Sequence, residues 1–311
     1  MTSKTVYAVV GPTASGKTAL SLTLAQRIGG EILCMDSMQV YRRMNIGTAK
    51  PTPAEQAAIP HHLLDLVEPD EAFTVSDYEA AARPMLDALP VPLLVGGTGL
   101  YLEALSTRSS FGTVAGDEAL RQQLHRVAER EGVNALHARL AACDPVSAAR
   151  IHPNDVRRVV RALEVYTLTG RPFSQLTVRQ TDDRYRFCLI GIDLPREALY
   201  RRINARVEQM MAQGLLKEVR ALRDSGVPED AQAMQGLGYK ELYAYLGGEM
   251  SLDAAVSLIQ MRTRHYAKRQ LTWFRMDDRI HWLSFTDDPE ALAGQALHII
   301  KQSEEHRHES V

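Results

Sequence analysis

Short apolar runs rich in β-branched residues alternate along this chain with longer segments whose apolar residues recur at helical spacing. The strand-like runs cover residues 6–11, 31–36, 91–97 and 187–194, and a shorter one covers 281–285. Continuous apolar runs of this length are typical of strands that are buried on both faces of a parallel sheet. The alternation predicts an α/β fold with a doubly wound parallel sheet.

Helical spacing predicts the elements between and after these strands. The predicted helices of this part are 18–28, 75–89, 196–213, 215–224, 240–246 and 252–274. Residues 42–62 contain three prolines and no clear period, so they are predicted to be a loop.

Residues 113–183 have a different character, because they contain no strand-like run. Helical patterns fill most of this segment, at 117–132, 134–143, 145–151 and 155–170. The pattern predicts a helical insertion domain over 113–183. It would interrupt an α/β core formed by residues 1–112 and 184–311.

Composition places the chain among ordinary globular proteins. Of its 311 residues, 45% are hydrophobic and 24% are charged, and no apolar run reaches the length of a membrane span. The first residues lack a signal-peptide pattern, and Cys34 and Cys188 stand in apolar runs typical of buried thiols. We therefore expect a cytoplasmic protein without membrane association, and a monomer.

The net charge of −2 conceals an uneven distribution of charge. Residues 51–82 carry seven carboxylates and no lysine or arginine, whereas residues 262–275 carry five basic residues and no acid. Such a basic segment is either a solvated helix face or part of a polyanion site, and the pattern alone leaves both open.

One motif carries a specific chemistry. The segment from Gly11 to Thr18 fits the phosphate-binding pattern G-x-x-x-x-G-K-[ST] and lies between a predicted strand and a predicted helix. Its backbone N–H groups would face phosphate oxygens, Lys17 would reach the terminal phosphate, and the Thr18 hydroxyl would bind Mg²⁺. The predicted diphosphate-binding residues are Gly11, Pro12, Thr13, Ala14, Ser15, Gly16, Lys17 and Thr18.

The second strand, not the strand at 91–97, ends in an acid. An ordinary nucleotide hydrolase needs a carboxylate at a strand end to help hold Mg²⁺, but the 91–97 run leads into Thr98 without one. Asp36 instead follows the strand-like run ILCM. Because ligands bind beyond the carboxyl ends of parallel strands, Asp36, Thr98 and the phosphate loop should share one crevice. The alternative for Asp36 is a helix cap or an ordinary loop acid.

Several long stretches match one family in order and spacing. They are residues 11–18, 36–51, 61–65, 93–101, 150–165, 236–241 and 263–275. In these stretches the chain resembles the tRNA dimethylallyltransferases of bacterial type, also called tRNA isopentenyltransferases. The resemblance implies transfer of a dimethylallyl group from dimethylallyl diphosphate, with Mg²⁺, to N6 of the adenosine just 3′ of the anticodon in tRNA. The phosphate loop would then hold a prenyl diphosphate instead of ATP.

The resemblance also assigns catalytic roles residue by residue. It makes Asp36 the general base, places Arg206 with Lys17 on the diphosphate, and puts Thr98 in contact with the target nucleotide. The sequence alone would interpret Arg206 as a solvated helix residue. Gln39 has the side chain best suited to a bidentate contact with adenine.

The resemblance implies tRNA contacts in both parts of the chain. The implied contacts are Asp36, Ser37, Met38, Gln39, Thr98, Arg121, Arg157, Arg158, Val159, Val160 and Arg161. Within the insertion, Arg157 and Arg161 share a helix face. Two departures stand out, because Arg157 replaces the family's usual glutamine and the segment before Arg121 lacks the usual proline-containing pattern.

Three alternatives stay open at this stage. They are a prenyltransferase acting on free adenine nucleotides, a P-loop small-molecule kinase, and a non-catalytic RNA-binding protein. The insertion and the basic segment 262–275 favour a macromolecular acceptor. Trp273 and Phe274 in that segment are interpreted as core residues instead of stacking platforms for bases.

Overall fold

The computed structural model describes residues 3–107, 114, 116–176 and 182–309. The chain forms two compact units, one of Met1–Leu105 with Asp183–Val311 and the other of Ser106–Asp182. The boundaries predicted from the sequence were 112/113 and 183/184. Part of the first junction, residues 108–113, lies outside the described residues.

The larger unit is built on a six-stranded sheet in which every paired strand is parallel, in the order β3-β2-β4-β1-β5-β6. The strands are β1 Lys4–Val10, β2 Glu31–Met35, β3 His61–His62, β4 Pro92–Gly96, β5 Tyr185–Asp193 and β6 Ile280–Ser284. In the sheet, β4, β2 and β3 lie on one side of β1, and β5 and β6 lie on the other. This order confirms the predicted doubly wound α/β sheet, with its switch point at β1.

Helices account for most of the remaining described chain. In chain order they are α1 Lys17–Ile28, α2 Pro53–Ala58, α3 Val75–Ala88, α4 Gly99–Ser106, α5 Glu118–Glu131, α6 Val133–Cys143, α7 Pro145–Arg150, α8 Val156–Thr169, α9 Phe173–Leu176, α10 Arg196–Gln213, α11 Leu215–Asp224, α12 Tyr239–Leu246, α13 Leu252–Phe274 and α14 Pro289–Glu309. None of them, in the part of the chain that the structure describes, is long and apolar enough to span a bilayer.

The sheet has a buried apolar layer on each face. Along β1, Val6, Ala8 and Val10 belong to one cluster, whereas Tyr7 and Val9 belong to the other. This alternation follows from the two-residue period of a strand and requires that both faces be covered by helices. The predicted burial of the thiols of Cys34 and Cys188 is confirmed.

The prediction of an unbroken loop over 42–62 was wrong. Helix α2 lies within it, and Thr52 caps α2 through a capping box with Glu55. Strand β3 follows and pairs with β2, with His61 opposite Ile32. A two-residue strand defined by its partner has no period of its own, so the sequence pattern could not indicate it.

The smaller unit contains helices α5 to α9 among its described residues. Leu124, Leu136, Leu140, Val159 and Val160 are buried together at its centre. The described helices agree with the helical character predicted for this part of the sequence, which lies between two stretches of the α/β unit.

Candidate active site

The phosphate loop connects β1 to α1 and has an unusual backbone. Gly11 and Gly16 have φ of 138° and 100°, and Ala14 has φ of 62°. Glycine tolerates such angles, which turn successive N–H groups toward one side of the loop. Gly16 is the N-cap of α1 and has no side chain to cap it. The first turn of α1 therefore presents its N–H groups to an anion.

Two cationic side chains lie together at this loop. The Lys17 Nζ donates to the carbonyl oxygen of Pro12 at 2.6 Å. Burial, and then the charge of Arg206, lower the pKa of Lys17 from 10.5 to about 7, while Asp36 partly opposes the shift. Burial also lowers the pKa of Arg206, with Asp36 opposing this shift and Arg202 adding to it. Two half-buried cations whose pKa values are both lowered make a site that favours a multiply charged anion.

Asp36 and Thr98 meet beyond the ends of two neighbouring strands. The Asp36 Oδ1 accepts from the N–H of Met38 at 2.8 Å, which fixes the carboxylate on its own turn. The Thr98 Oγ1 accepts from the N–H of Ser37 at 3.1 Å. The structure thus bonds Thr98 to Ser37, the residue next to Asp36, and Asp36 interacts electrostatically with Lys17.

Close packing of β2 against β4 makes this arrangement possible. Gly96 lies opposite Met35, and a Cβ at Gly96 would lie 1.8 Å from the carbonyl oxygen of Met35. Only glycine fits at that position. The N–H of Thr98 then bonds to the same Met35 carbonyl at 3.3 Å.

Three tyrosines, Tyr78, Tyr101 and Tyr266, interact electrostatically with the carboxylate of Asp36. Burial first, and Asp36 as a further contributor, raise the pKa of Tyr101 and of Tyr266. Tyr78 stacks on Tyr101 with ring centroids 3.9 Å apart and donates to the carbonyl oxygen of Cys34. These rings stay protonated, so they form a neutral and largely apolar wall beside the acid.

The buried hydroxyl of Ser15 is a second feature of the loop that points to a bound ligand. Its side chain is 1% exposed, and its Oγ has no hydrogen-bond partner within the described part of the chain. Buried hydroxyl groups are nearly always hydrogen-bonded, and a phosphate oxygen would supply the partner here.

Gln39 is engaged within the chain. Its Nε2 donates to the carbonyl oxygens of Thr48 and Ala49 at 3.1 and 3.2 Å. A bidentate contact with adenine would have to replace both bonds, so this arrangement favours a structural role for the amide nitrogen. The role in tRNA binding stays a prediction.

In the smaller unit, two of the predicted tRNA contacts share one buried acid. Glu164 is fully buried and accepts from the Arg121 Nε at 2.8 Å and from the Arg161 Nη1 at 2.5 Å. Burial acts to raise the pKa of Glu164, but the hydrogen bonds from Arg161, from the Asp117 N–H and from Arg121 outweigh it and hold the pKa below its usual range.

The other predicted contacts on α8 differ in exposure. Arg157 and Arg158 are exposed, and Arg158 lies 3.3 Å from the Asp155 carboxylate. The side chains of Val159 and Val160 are buried in the core of the unit. A tRNA contact at these two valines would therefore have to use their backbone.

The basic segment 262–275 lies on α13, and most of its charges have partners in the chain. The contacts are Arg262 to Glu241, Arg264 to Asn204, Arg275 to Asp193, and Arg269 over the ring of Tyr266. Lys268 is exposed. Phe274 is buried and Trp273 is partly buried against the main core, as interpreted from the sequence.

The acids of residues 51–82 also have local structural roles. Glu55 and Asp77 complete the capping boxes of α2 and α3. Glu68 pairs with Arg42 and Arg43 at 3.4 and 3.3 Å. These partners explain part of the acidic stretch without an external ligand.

Sequence reasoning missed several residues that hold the site loops. Glu218 accepts from the N–H groups of residues 45, 46 and 47 and so anchors the loop after Asp36. Arg202 donates to the carbonyl oxygen of Ala14 at 3.0 Å. Gln270 bonds to Thr13 and to Gly97. Its only signal in the sequence is a polar residue on the stripe of α13 that otherwise buries Ala267 and Phe274.

Fold and site together define an α/β protein of the P-loop class, with a carboxylate facing its phosphate loop. Residues 39–277 match the family described as IPP transferase, and residues 4–65 match the family described as isopentenyl transferase. The chain belongs to the IPP transferase family, which confirms the resemblance inferred from its motifs.

Named relatives and solved structures agree with this membership. The chain is 49% identical over 306 residues to the tRNA dimethylallyltransferase of Geobacillus thermodenitrificans, covering 97% of this chain and 96% of that one. It is 52% identical over 283 residues to that of Geobacter metallireducens, covering 89% and 91%.

Among solved structures, the tRNA isopentenylpyrophosphate transferase of Bacillus halodurans is 41% identical with a TM-score of 0.71, covering 98% of this chain and 99% of that one. A eukaryotic dimethylallyltransferase acting on tRNA is 29% identical with a TM-score of 0.76, covering 92% and 75%.

Proposed function

We propose that this protein transfers the dimethylallyl group of dimethylallyl diphosphate to N6 of the adenosine 3′-adjacent to the anticodon in tRNA, releasing diphosphate. The observation that carries the proposal is the placement of Asp36 beside a phosphate loop that gathers Lys17 and Arg206. Family membership and the names of the relatives support the choice of donor and acceptor.

The phosphate loop binds the diphosphate half of the donor. As the bond between the allylic carbon and oxygen breaks, the diphosphate leaves with the electron pair and its negative charge grows. In this proposal, Lys17, Arg206 and the N–H groups of the loop stabilise that charge. When the diphosphate binds, one of its oxygens accepts a hydrogen bond from the Ser15 hydroxyl.

The residues present fit a Mg²⁺ ion that is carried by the substrate. Magnesium in phosphate sites takes most of its ligands from phosphate and water, so one protein oxygen suffices. Thr18 is exposed at the start of α1, and its hydroxyl would hold the ion. When bound, the ion adds positive charge at the leaving diphosphate.

Asp36 acts on the acceptor half. The adenine amine is conjugated into its ring and is a weak base, so its proton must be removed as the N6–carbon bond forms. Since Oδ1 of Asp36 is bonded to Met38, we assign proton removal to Oδ2. The adenosine has to leave its stack to reach the site, at a cost of about a few kcal/mol.

The smaller unit supplies the wider grip on tRNA in this proposal. Arg157 and Arg158 are exposed on α8, where guanidinium groups can bind backbone phosphates. Arg121 and Arg161 stand beside Glu164, which orients both of them.

One assay tests the function against its alternatives. The protein is incubated with dimethylallyl diphosphate and Mg²⁺, with either tRNA or free AMP, ADP and ATP, and the nucleosides are then analysed by mass. We expect prenylated adenosine from tRNA only. Prenylated free nucleotides would instead indicate the cytokinin type of activity. ATP consumption without a prenyl donor would indicate a kinase or ATPase and would contradict the donor.

Variants of Asp36 test the general base. Asp36→Asn and Asp36→Ala should lower turnover by about 10²- to 10⁴-fold, because the proton acceptor is lost, and leave tRNA affinity within a few fold. The matched control is Asp193→Asn, since Asp193 also ends a strand of the sheet but pairs with Arg275. Normal turnover in Asp36→Ala would remove this residue from the mechanism.

A further inference from the structure

A single buried amide joins the two loops that carry the proposed chemistry. Gln270 on α13 is 6% exposed. Its Oε1 accepts from the N–H of Thr13 at 2.9 Å, and its Nε2 donates to the carbonyl oxygen of Gly97, also at 2.9 Å. Thr13 belongs to the phosphate loop, and Gly97 directly precedes Thr98. The glutamine therefore bonds both strand-end loops at once.

Packing around this amide leaves little freedom. A Cβ at Gly97 would lie 2.2 Å from the Nε2 of Gln270 and 3.2 Å from the carbonyl oxygen of Gly11. Glycine at 97 is thus required for the amide to reach its acceptor. The amide supplies a donor and an acceptor on one rigid plane, which few other side chains do.

On the phosphate side, the amide holds the central part of the loop. Lys17 bonds the carbonyl of Pro12, Gln270 bonds the N–H of Thr13, and Arg202 bonds the carbonyl of Ala14. Ala14 is the residue with left-handed backbone, a conformation that costs energy unless its surroundings impose it. The three side chains fix that segment in place.

On the side where the adenosine would bind, the series of hydrogen bonds continues from Gln270 to Asp36, the proposed base. Gly97 leads into Thr98, whose hydroxyl accepts from Ser37, the residue next to Asp36. A continuous path of short contacts therefore runs from the phosphate loop through Gln270 to the turn that holds the carboxylate.

We propose that Gln270 is a positioning residue that sets the distance between the diphosphate loop and the Asp36 turn. The inference rests on the function proposed above, and it assigns Gln270 no contact with reacting atoms. Transfer requires the allylic carbon and the amine to meet in line, and misplacement by 1 Å can cost about 100-fold in rate. The bridge prevents the two loops from separating.

The test begins with Gln270→Met, which keeps the length of the side chain but removes both hydrogen bonds. We expect kcat to fall at least about tenfold and KM for dimethylallyl diphosphate to rise, because both the loop and the alignment loosen. The dissociation constant for tRNA should change less than about twofold, since it reports phosphate contacts on the exposed arginines.

Gln232 provides a control with the same kinds of bond at an exposed position. Its amide also makes two backbone bonds, accepting from the N–H of Phe73 at 3.3 Å and donating to the Phe73 carbonyl at 2.8 Å, with no link to either site loop. Gln232→Met removes the same two kinds of bond. Its kcat and KM should stay within about twofold of wild type, whatever happens to its melting temperature.

Gln270→Glu adds a readout that a merely structural residue would not produce. A protonated carboxyl keeps the donor for Gly97 and the acceptor for Thr13, whereas the ionised form loses the donor and places a negative charge behind the diphosphate. Burial raises the pKa of such a carboxyl. The ratio of variant to wild-type kcat/KM should therefore rise as pH falls.

The experiments distinguish a failure of the proposed function from a failure of the positioning role. Wild-type prenylation of tRNA establishes the function independently of any variant. With that in place, a folded Gln270→Met with kcat within twofold of wild type, or a loss equal to that of Gln232→Met, overturns the positioning role. If Gln270→Met fails to fold, Gln270→Glu decides, and a ratio that does not change with pH overturns the role as well.

Discussion

Lys17 is close to half-protonated at neutral pH, because burial and the neighbouring Arg206 bring its pKa to about 7. The unfolded chain keeps the ordinary value of 10.5, so it holds more protons than the folded chain between these two pH values. Folding stability from this group therefore rises with pH across that window. A bound diphosphate reverses the shift, because its charge favours the protonated amine.

This linkage predicts that donor binding takes up a proton above pH 7. The affinity for dimethylallyl diphosphate should fall as pH rises from 7 to 9, by up to about tenfold per unit, and should be nearly flat for this group below 7. Calorimetry in buffers of different ionisation enthalpy measures both the affinity and the proton uptake.

Lys17→Met serves as the control for this prediction. It binds more weakly, and its remaining pH dependence reports the titration of the ligand itself. Parallel pH profiles for wild type and Lys17→Met would contradict the shifted lysine.

Single residues differ in how far the sequence could reveal them. The phosphate loop and Asp36 were predictable, because a local pattern and a strand end identify them. Gln270 was not, since its partners Thr13 and Gly97 lie 257 and 173 residues away in the chain. Arg206 received a role only through the resemblance, because a helical arginine is usually solvated and its partial burial depends on the packing of α10.

At the scale of elements, most of the sheet was predictable, but its edge strand β3 was not. The strands β1, β2, β4 and β5 are apolar runs buried on both faces, so the sequence itself carries their signal. Strand β3 consists of two half-buried histidines and exists only through pairing with β2. It forms through tertiary pairing, and its sequence has no periodicity that would predict a strand.

Helix α8 contains an arginine paired with a buried acid and an arginine that is exposed. Charge reversal should therefore affect folding stability at the first and tRNA binding at the second. Arg161 lies 2.5 Å from Glu164, whose side chain is fully buried, whereas Arg157 is exposed and forms no ion pair within the described chain. Reversal at Arg161 would place two carboxylates together inside the unit. Reversal at Arg157 changes only the surface.

We therefore predict opposite phenotypes for the two variants. Arg157→Glu should weaken tRNA binding and reduce the log–log salt slope by about 0.7 to 0.9, with an unchanged melting temperature. Arg161→Glu should destabilise the fold by about 3 kcal/mol, because it breaks a buried pair. Melting temperature and tRNA affinity are measured on the same samples.

Arg150→Glu is the matched control, because Arg150 is an exposed arginine at the end of α7 in the same unit. It should change tRNA affinity less than Arg157→Glu does. An equal loss of tRNA affinity in Arg150→Glu and Arg157→Glu would indicate that the overall positive charge of this unit attracts tRNA, instead of a phosphate contact at Arg157.

Across the whole molecule, many charged side chains pair with partners elsewhere in the chain, so they add little to an overall electric field. The net charge is −2 over 311 residues, and much of the basic helix α13 and of the acidic stretch is paired or used in caps. A protein without a strong overall field attracts a polyanion through a few exposed cations, and each cation that meets a phosphate releases counterions. Total charge therefore says little about tRNA binding here, and the exposed basic residues decide it.

This arrangement predicts a shallow salt dependence for tRNA binding. We take four exposed basic residues of α8 and α13 as the phosphate contacts, namely Arg157, Lys268, Arg158 beside Asp155, and Arg269 over the ring of Tyr266. At about 0.7 to 0.9 per contact, the slope of log affinity against log salt should be roughly −3. Replacing Arg157 and Lys268 together by glutamine should bring it to about half that value.

The measurement is tRNA binding across a salt series at constant free Mg²⁺, with KM for dimethylallyl diphosphate followed in parallel. In the proposed function the donor binds at the phosphate loop, where the partly buried charges of Lys17 and Arg206 are screened less by salt, so its KM should change less than about twofold over the same range. A tRNA slope steeper than about −8 would require many more phosphate contacts than these residues provide. It would show that paired arginines such as Arg262 and Arg275 leave their acids to bind RNA, and the local arrangement of charge would then be wrong.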